Sequence, residues 1–110
     1  MRLKDSAIPK GLKPQALLAM IIMDEVYKED GYRFVVTSLN DSKHRDNSYH
    51  YDGYAFDCRV KSKYWQQSHY PDEDNARLLV SLAKERLGPC YDVIYEGNHI
   101  HCEYNARDYE

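Results

Sequence analysis

YDVIYEGNHIHCEY, residues 91–104, reads as two β-strands joined through Gly97 and Asn98, a pair suited to a two-residue hairpin turn. The turn sets the register. Glu96 faces His99, Tyr95 faces Ile100, Ile94 faces His101 and Val93 faces Cys102, and facing residues project to the same side of the ribbon. One side collects Val93, Tyr95, Ile100 and Cys102, an apolar set that fits beneath a helix. The other collects Glu96, His99, His101 and Glu103, with Ile94 among them. Polar chemistry is concentrated on one face.

Moving back along the chain, Pro71 and Asp72 announce a helix whose apolar positions Ala76, Leu79, Val80, Ala83 and Leu87 keep helical spacing until Gly88 and Pro89 stop it. Residues 54–60 read as a strand with Tyr54, Phe56, Cys58 and Val60 on one side and Ala55, Asp57 and Arg59 on the other. The polar stretch 39–48 is a loop, and RFVVTS, residues 33–38, has the β-branched content of a strand. Pro14 suits the first turn of another helix, in which Leu17, Leu18, Met20, Ile21, Ile22 and Val26 form a broad apolar stripe ended by Gly31. Residues 1–13 read as an irregular lead-in. Helix, strand, loop, strand, helix and hairpin describe an α+β domain, with helices packed on one face of a small, mainly antiparallel sheet.

The chain has 110 residues, enough for a single domain over 1–110 with one core. Charged residues make up 30% and the net charge is -3, so no broad cationic field exists to hold nucleic acid. The longest apolar run, residues 16–23, falls short of the roughly 20 residues that span a bilayer, and no membrane partner is expected. The first 14 residues lack the apolar core and cleavage site of a secretory signal, which points to a cytoplasmic location as synthesised. Cys58, Cys90 and Cys102 contain no CxxC pair and read as small buried thiols. Eleven Tyr against two Phe suit a shallow, half-wet cleft or a thin core.

Alternation aims Asp57 at the polar face where the hairpin histidines lie, and His50 sits seven residues before it at the end of the loop. Gly53 allows a sharp turn between them, and Ala55 leaves space beside the face. Two imidazoles and one carboxylate suit Zn²⁺, leaving a fourth tetrahedral position open for water or substrate. Such a metal lowers the pKa of water and polarises a carbonyl. Glu96 is the candidate proton shuttle, and His99 is placed to donate to an oxyanion.

SYHYDGYAFD, residues 48–57, resembles the Ser-x-His-x-x-Gly-x-Ala-x-Asp motif shared by D-Ala-D-Ala metallopeptidases and the hedgehog signalling domain, matching at every specified position. YEGNHIHCEY, residues 95–104, resembles the His-x-His strand of the same superfamily. Hedgehog proteins carry a Tyr-Glu and a His-Ile-His-Cys in this order. The order of elements resembles that fold over about residues 14–105. The resemblance implies that the second histidine, His101, binds zinc with His50 and Asp57, and that His99 and Glu96 support catalysis. The alternative pairs His99 as ligand with Glu96 three residues before it, similar to the Glu-x-x-His of vancomycin-resistance dipeptidases. Two departures stand out. Hedgehog proteins place one more residue between the glutamate and the first histidine, and bacterial peptidases put their acidic base where this chain has Asn98. The Gly-Tyr-Arg-Ser run common in those peptidases is replaced by Leu39, Asn40, Asp41 and Ser42, so a substrate-binding cation would come from Lys43, His44 or Arg45.

Other polar residues have plainer readings. His44 and His69 read as solvated; Asp41, Asp46 and Asp52 are turn residues, and no calcium site is expected. Arg59, Lys61 and Lys63 read as a solvated strand edge ahead of a rim for a substrate carboxylate. The run Asp72, Glu73, Asp74 caps a helix. The expectation is a monomeric zinc hydrolase, a metallopeptidase that cleaves stem peptides of bacterial peptidoglycan as a carboxypeptidase or endopeptidase. A phage or prophage origin, with release at lysis or carriage in the virion, fits the absence of a signal and of a wall-binding module. The alternative is a zinc-bearing, non-catalytic, hedgehog-like domain that binds a protein.

Overall fold

Pro14 has no N–H to offer, which costs nothing at the start of a helix, and α1 (Pro14–Glu29) begins there. Its inward residues Ala16, Ala19, Met20, Met23, Val26 and Tyr27 recur every three or four positions, the spacing of one helical face. Gly31, at φ 81°, follows the last turn, a left-handed conformation that glycine adopts without steric penalty. The second helix, α2 (Glu73–Leu87), is capped by Asp72, whose carboxylate accepts the Asn75 N–H at 2.9 Å. The computed structural model describes residues 1–5, 7, 11–39, 54–63 and 68–105.

The described residues also form five strands: β1 (Arg2–Leu3), β2 (Val35–Ser38), β3 (Ala55–Arg59), β4 (Tyr91–Tyr95) and β5 (His99–Tyr104). They form one sheet in the order β1-β2-β3-β5-β4. Only β1 and β2 run parallel; the other neighbours are antiparallel. Among the described residues the architecture is α+β, with a mixed, mainly antiparallel sheet and two helices. In the hairpin, Val93 pairs with Cys102, Ile94 with His101 and Tyr95 with Ile100, and the Glu96 N–H donates to the His99 carbonyl at 2.9 Å. Gly97 sits at φ 94° and no non-glycine residue has positive φ among the described residues. A left-handed first turn residue followed by an ordinary second one is the type II′ pattern.

Phe56, Cys58, Val93, Ile100 and Cys102 on the inner sheet face pack with Met23, Val26 and Tyr27 of α1 and Leu79 and Ala83 of α2, all at 1% exposure or less. The Tyr27 hydroxyl donates to the Arg59 carbonyl at 3.0 Å, tying α1 to β3. Two expectations need correction. The stretch 1–13 is not wholly irregular, because Arg2 and Leu3 pair with Val35 and Val36; a strand of two residues shows no period in sequence. The α1 stripe is also narrower than its composition suggests, since Leu17, Leu18 and Ile21 are exposed. The first half of the helix is apolar nearly all round, and small Ala16 and Ala19 turn inward. No helix among the described residues is long and apolar enough to cross a membrane.

Candidate metal centre

Strand β5 lies between β3 and β4, so its backbone is held on both sides. Asp57 of β3 is the direct cross-strand partner of His101, and both project away from the core. His101 Nδ1 lies 2.8 Å from Asp57 Oδ1. On its other side, His101 Nε2 lies 3.3 Å from Glu103 Oε1. The three side chains are 15%, 17% and 19% exposed, half-buried but open to one side. His99, two residues along the same face, brings Nε2 to 3.7 Å from Asp57 Oδ1, and its Nδ1 contacts Asn98 Oδ1.

Burial acts to lower the His101 pKa, but hydrogen bonds and charge attraction from Asp57 and Glu103 outweigh it and hold the ring at about 9. At neutral pH the metal-free imidazole is therefore a cation between two carboxylates. A metal bound to a nitrogen of this ring has to displace its proton. Ligand atoms sharing a tetrahedral zinc stand about 3.3 Å apart. Asp57 and His101 are already close to that separation, and an opening of about half an ångström suffices. Among the described residues no group of three His, Cys, Asp or Glu side chains is arranged as a metal cage. Two members of the expected ligand set, Asp57 and His101, do meet. The third, His50, lies outside the described residues, as do Gly53, Asp41, Asp46, Asp52, Lys43, His44 and Arg45.

The remaining expected residues separate by place. His99 joins the cluster. Glu96 is exposed where β4 enters the turn, and its backbone N–H donates to the His99 carbonyl. Lys63, Arg59 and Lys4 line an open cleft of about 490 Å³ together with Asp57, His99 and Thr37, whereas Lys61 is exposed outside it. Lys4 was not legible as a site residue, because it follows the short strand β1. Glu103 was placed on the correct face without a role, since spacing alone does not show that its carboxylate turns back to His101. The buried thiols Cys58 and Cys102 lie on the opposite face, where burial pushes both pKa values up and keeps them protonated. Compared with protein-family models, curated proteins and solved structures, the chain gives no match.

Proposed function

We propose that this protein is a zinc peptidase with a fold of the D-Ala-D-Ala metallopeptidase and hedgehog type, acting on stem peptides of bacterial peptidoglycan. The observation that carries the reading is the 2.8 Å contact between Asp57 and His101. It unites the last residue of the first motif with the second histidine of the other, across two strands 44 residues apart in sequence. His50, Asp57 and His101 would hold the metal, which when bound supplies Lewis acidity and a nucleophile at neutral pH. His99, on the wall of the cleft, is placed to donate a ring N–H to the oxygen of a polarised carbonyl. Glu96 is assigned to pass a proton to the departing amine nitrogen.

Zinc-loaded protein incubated with purified peptidoglycan tests this directly. The expected result is release of a peptide or amino acid, with Glu96→Gln slower by about 10²–10⁴-fold. No released product from the zinc-loaded protein contradicts the enzyme reading. One observation favours a second reading. Because Glu96 is exposed at the turn, a zinc-bearing, hedgehog-like binding domain without turnover fits the same metal site. That reading predicts zinc binding with no hydrolysis and no effect of Glu96→Gln.

A further inference from the structure

We infer that Glu103 is the positioning residue for the metal ligand His101, holding the imidazole so that Nδ1 faces Asp57 and Nε2 carries the proton. The inference rests on the zinc reading. Its geometry is already built in the protein: Asp57 Oδ1 lies 2.8 Å from one ring nitrogen and Glu103 Oε1 lies 3.3 Å from the other. Ring nitrogens divide their work in this way at metal sites, one binding the cation while the other donates its N–H to a carboxylate.

The strand supplies the placement. His101 and Glu103 are two residues apart on β5 and so share a face, and β5 is paired on both sides, Glu103 with Ala55 of β3 and with Asp92 of β4. Ala55 is small and fully buried, so no bulky side chain on β3 competes for the space through which the Glu103 carboxylate leans back toward the ring. Length matters here. Residues two apart on a strand are separated by about 6.7 Å, a span that the His101 ring and the glutamate side chain close together, and an aspartate there is one methylene shorter. The other carboxylates of the hairpin, Asp92 and Glu96, are exposed. Glu103 is half-buried, which strengthens its bond to the ring.

The test is a zinc titration of the whole chain by calorimetry, combined with ¹⁵N NMR of the His101 ring, in the natural protein and in Glu103→Ala, Glu103→Asp and Glu103→Gln. Glu103→Ala is expected to weaken zinc binding by about 10–100-fold. Glu103→Asp should resemble it. Glu103→Gln, which keeps length and one acceptor but not the charge, should fall between alanine and the natural protein. In the zinc-loaded natural protein the His101 ring proton should sit on Nε2 and exchange slowly, and Glu103→Ala should speed that exchange. Zinc affinity within twofold of the natural protein in Glu103→Ala, with ring exchange unchanged, overturns the inference while leaving the zinc reading intact. A natural protein that binds no zinc overturns both. If Glu103→Ala fails to fold, Glu103→Gln and Glu103→Asp give the same decision.

Discussion

The two faces of β5 differ in what holds them. Ile100 and Cys102 point inward at 0% exposure among apolar side chains, where contact area is the whole of the interaction. His99, His101 and Glu103 alternate with them and point outward, where each polar atom depends on a specific partner. The inner face tolerates any well-shaped apolar set; the outer face tolerates only matched charges and donors. One strand thus carries both the stability of the fold and its candidate chemistry, separated by alternation alone.

The contrast breaks most visibly at Phe56, which points inward from β3 and is fully buried. Phe56→Ala should cost about 3–5 kcal/mol of stability, from lost burial and the cavity left behind, read by urea unfolding. A loss below 1 kcal/mol would mean that the inner face is not the core. The outer face should show itself through pH instead. His101 has a pKa of about 9 in the folded, metal-free protein against about 6.5 when unfolded. Its protonated form therefore stabilises the fold fully below about pH 6.5, and that contribution disappears as the pH rises through 9. The loss should be about 3 kcal/mol in metal-free protein, and it should be absent from His101→Gln, a comparison that removes the effects of titrating tyrosines and thiols. The smallest effect belongs to the turn that joins the two strands. Gly97 has φ 94° and nothing stands within 4 Å of an added Cβ, so Gly97→Ala meets backbone strain alone and should cost about 1 kcal/mol. Both faces should survive it, with the zinc affinity unchanged.

Much of this was legible because the hairpin constrains itself. A two-residue loop and strict alternation fix which residues face one another, and the register from Tyr95 with Ile100 to Val93 with Cys102 follows from Gly97 and Asn98 alone. The ends of both helices were equally readable from Pro14, Gly31, Asp72 and Gly88, whose backbone preferences act locally. What was not legible depends on distant partners. Strand β1 exists through its pairing with Val35 and Val36. The choice of Ala16 and Ala19 over Leu17 and Leu18 for burial reflects how α1 sits on the sheet, and a helix whose residues 16–23 are all apolar does not announce which face that is. Glu103 belongs to the same class: its face was readable, its bond to His101 was not. The proximity of Asp57 and His101 was expected from alternation in two separate strands, and Glu96 is exposed at the turn.

Zinc binding by the metal-free chain, measured by calorimetric titration with single alanine substitutions, tests the central claim most directly. One zinc per chain is expected, with binding lost in His50→Ala, Asp57→Ala and His101→Ala and retained in His99→Ala. Binding that persists in His101→Ala and disappears in His99→Ala would contradict the assignment of His101, and no binding by the natural protein would contradict the metal site itself.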